Sequence, residues 1–208
     1  MAVRALFVAW LALLGAAIAL SVLAAQHDTL PGDTSIMSWA QERAFPGQTL
    51  SDIVRAITTT EVVLATGGAM AIGLWLLGHR WEAVLLAAGL VALPLLQAGV
   101  KELVDRPRPA GPLAELRASF SSESFPAGHV MSPTYLYGTL LYLSIRSELP
   151  RALRLTAGAW SALVIVLCGP PNVWLGVHWP SDVLGGWAWG LLLAGPVALV
   201  LEARYRRR

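Results

Sequence analysis

Six stretches of this 208-residue chain contain no Asp, Glu, Lys or Arg: residues 5–27, 62–79, 83–100, 124–145, 155–181 and 183–201. A helix that crosses a bilayer needs about 20 apolar residues, so each stretch can hold one, and the fifth leaves enough over for a short loop. Hydrophobic residues make up 56% of the chain and charged ones only 13%, against about 25% charged in ordinary globular proteins. That is too little polar surface to coat a water-soluble globule, which excludes a disordered chain and a soluble enzyme. The net charge of +2 gives no case for nucleic acid as a partner. The expected fold is all-α: one integral membrane domain over residues 1–208, with six spanning helices at about 5–26, 58–78, 83–100, 128–146, 153–170 and 182–202. Between the first two lies a polar loop, about 27–57, which Pro31, Gly32, Pro46 and Gly47 punctuate around one interfacial helix near Ser35–Ala44.

Basic residues set the orientation. With a cytoplasmic N-terminus, nine of the fifteen Lys and Arg residues fall on inside joints, ending in the run Arg204–Arg208, read as a stop-transfer anchor. The other six are Arg43, Arg55, Lys101, Arg106, Arg108 and Arg117, outside with most of the acids. The first stretch is read as a retained helix, because its apolar core exceeds the roughly 7–15 residues of a cleaved signal. Cys168, the single cysteine, allows no internal disulfide framework or cysteine-based zinc cluster, and reads as a small buried apolar residue.

With this topology three polar stretches meet at the outer face: Lys101–Arg117, Ser121–His129 and Pro170–Asp182. Ionisable groups gathered at helix ends of a membrane protein are a site hypothesis by default. In the first, prolines 107 and 109 hold the chain extended, and Arg108 folds back toward Lys101. A guanidinium and an ammonium converging on one point suit a phosphate, although a rim of cations beside the lipid headgroups is as good a reading of that stretch alone. In the second, Pro126-Ala127-Gly128-His129 runs into a helix whose first N–H groups and positive dipole end favour an anion, with His129 placed to protonate a leaving oxygen. In the third, Pro180 suits the first position of the last helix and puts Asp182 in its first turn, four residues after His178. A carboxylate on one ring nitrogen fixes the tautomer and leaves the other nitrogen as base or nucleophile.

Lys101-x6-Arg108-Pro109, Pro126-x-Gly128-His129 and His178-x3-Asp182, in that order, resemble the type 2 phosphatidic acid phosphatase superfamily of membrane lipid phosphate phosphatases. The resemblance implies that Lys101, Arg108 and the backbone around Ala127 and Gly128 bind phosphoryl oxygens. It implies that His178 is a nucleophile forming a phosphohistidine, Asp182 its orienting partner and His129 the general acid. No metal and no cofactor are expected. The partners are the bilayer and a membrane lipid phosphate of the polyprenyl pyrophosphate, phosphatidylglycerophosphate or phosphatidic acid class, met at the extracytoplasmic face of a cell membrane. The sequence is silent on oligomeric state.

Two positions depart from the family pattern. Ala127 stands where Ser is usual, and Pro171-Asn172 where Ser-Arg is usual. Asn172 is taken as substrate-binding but lacks the charged fork: either the site is under-charged and slower, and Asn172→Arg raises activity, or Arg106 or Arg117 supplies the charge and Asn172→Arg leaves activity flat or lowers it. The alternatives are a weakly active or non-catalytic lipid-phosphate binder, and a phosphotransferase acting on another ester. Glu61 is read as a partner for Arg55, and Trp174 and Trp179 as flanking the site where a lipid is guided.

Overall fold

The computed structural model describes residues 2–206 apart from 112 and 119–121. Expectations placed on Ser121, Arg207 and Arg208 lie outside the described residues. Among those described there are nine helices and no strand: α1 Ala2–Gln26, α2 Asp33–Gln41, α3 Gly47–Ile57, α4 Thr60–Leu76, α5 Arg80–Val104, α6 Gly128–Arg146, α7 Arg151–Leu167, α8 Pro170–Trp174 and α9 Pro180–Tyr205. Helices are the open-ended structure that satisfies its own backbone polar groups in lipid, which is why the apolar stretches take this form. Four helical segments are long and apolar enough to cross a membrane, namely Val3–Gln26, Arg80–Val104, Arg151–Trp174 and Pro180–Tyr205, and the bent pair α3–α4 gives a fifth if it is one span. This is a multi-pass helical membrane protein.

α6 is the pivot of the bundle, packed on α4, α5, α7 and α9. It buries Ser132, Thr134, Thr139 and Ser144, so its polar groups face protein rather than lipid and its composition is less apolar than that of its neighbours. Tyr135, fully buried, donates to Leu86 O at 2.7 Å and ties α6 to α5. The α6–α9 seam rests on small residues: a Cβ on Gly186 would come within 2.8 Å of Ala127 O, and one on Gly190 within 2.6 Å of Met131 O. Spacing of four residues puts both glycines on one face, the pattern by which membrane helices approach closely.

The helix ends fall within a few residues of the expected ones, and α5 and α9 run longer at both ends. The larger difference lies in the segment 27–57. Where one interfacial helix was expected there are two, α2 and α3, and both pack on α8. α3 is inside-out by the standards of a water-soluble helix. Ser51 and Arg55 are buried, while Leu50, Ile53 and Ile57 are exposed. Exposed polar groups share that surface of α3, with Gln48 Nε2 donating to Asp52 Oδ1 at 3.0 Å, so the helix lies with both apolar and polar groups outward.

Candidate active site

Three helix ends and one loop meet at the same end of the bundle: the last turn of α5 with Lys101, the first turn of α6 with Gly128 and His129, the first turn of α9 with Asp182, and the 105–127 loop. Prolines 107 and 109 keep the loop extended after α5, which returns Arg108 over the site. Arg108 is held by three oxygens, with Nε donating to Ser122 O at 2.6 Å, Nη2 to Ser122 Oγ at 3.1 Å and Nη1 to Val177 O at 2.6 Å. Its Nη1 lies 3.3 Å from His178 Nε2. Lys101 Nζ donates to Glu123 O. His129 lies within electrostatic reach of Arg55, His178, Arg108 and Lys101. Lys101, Arg108, His129 and His178 are therefore brought together.

His178 is only 2% exposed, and its Nδ1 stands 3.6 Å from Asp182 Oδ2. Nδ1 is buried and makes no hydrogen bond among the described residues; a proton on it would face the Asp182 carboxylate and leave the Nε2 lone pair toward Arg108. Burial pushes the ring down to about 4, against the pull of Asp182 and with the cations Arg108 and Lys101 adding to the shift. The resting ring is neutral. Burial likewise lowers Arg108 from the usual guanidinium value, opposed by Asp182 and Glu123.

Asp182 is itself built in from behind. Its Oδ2 accepts from Trp179 N at 2.8 Å and from Ser124 Oγ at 2.5 Å, and its Oδ1 accepts from Arg106 Nη1 at 2.6 Å. Arg106, 1% exposed, reaches on through Nη2 to Asp33 Oδ2 at 2.8 Å. Asp33, at the start of α2, also accepts from Ser181 N at 2.9 Å and Ser181 Oγ at 2.7 Å. The line His178–Asp182–Arg106–Asp33 is a buried relay joining α9, the loop after α5, and α2. Nothing local in the sequence marks Asp33 or Arg106 for this, since they are 73 positions apart.

Several expected partners stand elsewhere. Arg106 is committed to the relay, and Arg117 donates to Trp174 O at 3.2 Å and Gln41 O at 3.2 Å with its guanidinium over the Trp174 ring. The expectation that one of them supplies the charge beside Asn172 is corrected: the arginine there is Arg55, whose Nη1 donates to Asn172 Oδ1. Asn172 is fully buried, and its Nδ2 donates to Cys168 O at 2.7 Å. Glu61, expected as the partner of Arg55, is exposed. Ala127 is fully buried in an apolar cluster with Val130, Val173 and Trp179, so at that position it is the backbone that borders the site. Trp174 and Trp179 are 8% and 2% exposed, packed inside the protein rather than facing a lipid. Gln97, unmarked by the sequence reading, lies one turn before Lys101 and would be struck by a Cβ on Gly128 at 2.6 Å.

A sequence profile of the PAP2 superfamily matches residues 63–206. Phosphatidylglycerophosphatase B of Bacillus subtilis (strain 168) is 33% identical over 127 residues, 58% of this chain and 59% of that relative. The match thus spans less than two thirds of that relative's length. The crystal structure of a transmembrane PAP2-type phosphatidylglycerolphosphate phosphatase from Bacillus subtilis superposes with a TM-score of 0.66 over 99% of this chain and 98% of the other, at 25% identity. The matched segment includes Lys101, Arg108, His129, His178 and Asp182. It begins after Asp33 and Arg55.

Proposed function

As the chain belongs to the PAP2 superfamily, we propose that it removes a terminal phosphate from a membrane lipid phosphate or pyrophosphate. The single observation that carries this is the approach of His178 Nε2 to Arg108 Nη1, 3.3 Å, with Asp182 Oδ2 3.6 Å behind the other ring nitrogen. A neutral imidazole oriented from behind and faced by cations is arranged to attack a phosphoryl group.

In the proposed reaction Lys101, Arg108 and the first-turn N–H groups of α6 hold the phosphoryl oxygens. His178 Nε2 forms a bond to phosphorus as the bond from phosphorus to the lipid oxygen breaks, and protonated His129 gives its proton to that oxygen. The Nδ1–H of the phosphohistidine donates to Asp182. Water, deprotonated by His129, then displaces His178 and releases phosphate. Charge on the transferring group is neutralised by these fixed cations. Similarity to phosphatidylglycerophosphatase B makes phosphatidylglycerophosphate the first substrate to try, ahead of phosphatidic acid and polyprenyl pyrophosphate. We further propose that α4 and α6 also cross the bilayer, making six spans, and that the site opens to the extracytoplasmic face.

The test is phosphate release from that lipid panel in excess chelator. Release is expected to continue in chelator and to fall to background in His178→Ala. His129→Ala should cost about 10²–10⁴-fold with a lipid leaving group, and far less with a nitrophenyl phosphate, whose leaving oxygen needs no proton. Activity that vanishes in chelator, or that survives His178→Ala, overturns the mechanism. Binding without release would favour the alternative of a lipid-phosphate binder.

A further inference from the structure

Arg55 lies outside the segment matched by the family profile, on a helix the sequence does not distinguish, and yet it is one of the most deeply placed cations in the molecule, 7% exposed. We infer that Arg55 is the third phosphoryl-binding cation of the site, delivered from α3 and steered into place by Asn172. This rests on the phosphatase reading above and adds to it a binding residue and the reason for an unusual one.

Three observations converge. First, α3 turns Ser51 and Arg55 inward: they are one helical turn apart and both buried, while Leu50, Asp52, Ile53 and Ile57 are exposed. A helix in this setting gains by burying a guanidinium only where something inside uses the charge, since desolvating an ion is costly. Second, α3 packs on α8, and Arg55 Nη1 donates to Asn172 Oδ1, while Asn172 Nδ2 is anchored on Cys168 O at 2.7 Å. Asn172 is thus a fixed neutral acceptor that aims the guanidinium and adds no charge. Third, Arg55 interacts electrostatically with Arg108 and His129, and Arg108 with Lys101. Of the carboxylates that act on these cations, Asp182 also holds Arg106 at 2.6 Å, while Asp52 acts on Arg55 and Glu123 on Lys101 and Arg108. Three cations that act on one another beside two histidines form a cluster to which a phosphoryl dianion is complementary.

Arg55 Nη1 meets the side chain of residue 172, the position at which arginine is usual in the family pattern. An arginine at 172 would meet Arg55 as a like charge, so Asn172→Arg alone is expected to leave turnover flat or lower it, the outcome expected from sequence where another arginine already supplies the charge. The purified full-length chain in detergent is assayed for lipid phosphate turnover and for inhibition by orthovanadate, an analogue of the transferring phosphoryl group. Arg55→Gln should lower kcat/KM by about ten- to 150-fold, the loss of one charge-assisted bond, and weaken vanadate inhibition to a similar degree. Arg55→Lys should keep part of both. The double variant Arg55→Gln with Asn172→Arg should regain at least tenfold over Arg55→Gln, because the charge is restored without the clash. The inference is overturned if Arg55→Gln leaves turnover and vanadate inhibition within twofold of the parent, or if the double variant regains nothing. His178→Ala run alongside separates the two levels: if it stays active the phosphatase reading itself fails, whereas its inactivity beside an indifferent Arg55→Gln removes Arg55 alone.

Discussion

Replacing Arg106 by methionine tests whether the relay behind His178 is a working charge arrangement. Arg106 contacts Asp182 Oδ1 at 2.6 Å and Asp33 Oδ2 at 2.8 Å, with the arginine and both acids at most 2% exposed. Methionine fills much of the same volume without charge, and it leaves two buried carboxylates with no cation between them. Breaking a buried ion pair by removing one partner costs about 3–5 kcal/mol, and here one cation serves two acids. At about 2–4 °C per kcal/mol for a chain of this size, the melting temperature in detergent should fall by about 6–20 °C. One carboxylate should take up a proton to relieve the repulsion. If that acid is Asp182, His178 loses its orienting partner and phosphate release collapses. Adding Asp33→Asn removes the second acid, so the double variant Arg106→Met with Asp33→Asn should be more stable than Arg106→Met alone. That non-additivity marks groups in direct contact. A melting temperature for Arg106→Met within about 2 °C of the parent, or full additivity in the double variant, would refute the charge argument.

The acid side of the pH dependence follows from His178. Burial sets its ring at about 4 rather than 6.5, so an NMR titration, assigned through His178→Asn, should find the ring neutral down to about pH 4, and a midpoint near 6.5 would show that the ring is neither desolvated nor pressed by cations. Because the folded value is depressed, the unfolded chain protonates first: the stability linked to this group is whole above pH 6.5 and is lost as pH falls through about 4. For topology, cysteines placed at Ala110, beside the site, and at Glu148, between α6 and α7, should label from opposite sides of sealed vesicles, with position 110 outside. Labelling of both from one side would end the proposed arrangement.

What could be read in the sequence was set by range. The charge-free stretches became helices because the bilayer requires internal hydrogen bonding wherever it is crossed, and that requirement is local. The three motifs lie at helix ends marked by Pro or Gly: 107 and 109 after α5, Pro126 before α6 and Gly128 opening it, and Pro180 opening α9. Arg55 was illegible for a physical reason. The pattern Leu50-Ser51-Asp52-Ile53-x-Arg55-x-Ile57 has the look of a helix with its arginine toward water, whereas packing on α8 turns Ser51 and Arg55 inside. Its partner Asn172 is 117 positions away, and no short-range pattern connects them. The expectation that Arg106 or Arg117 fills that role rested on nearness in sequence, whereas Arg106 is drawn off by Asp33 from an earlier helix. The four-residue spacing of Gly186 and Gly190 was visible, but hydropathy alone does not weigh small residues as contact surfaces.

A site that binds a phosphate and also needs a carboxylate faces a conflict, because Asp182 close to Lys101, Arg108 and Arg55 would neutralise the charge meant for substrate. The fold separates the two demands. Asp182 has its own guanidinium, Arg106, and its oxygens are further occupied by Ser124 and Trp179 N. Asp182 still acts on Lys101 and Arg108, as Glu123 does, but its hydrogen bonds are taken up behind the site. The separation is incomplete in a useful way. Asp33, Arg106 and Asp182 together carry one net negative charge in the interior, and His178 stands next to it, neutral at rest. In the proposed reaction the ring gains a positive charge as Nε2 bonds to phosphorus, and the relay already holds the compensating one 3.6 Å from Nδ1. Charge that is fixed in place before the reaction needs no reorganisation during it, which is where an electrostatic contribution to catalysis is largest. On this argument Asp33, remote from the substrate, is a positioning residue that sets the net charge behind His178. Its loss should therefore lower kcat while leaving KM little changed.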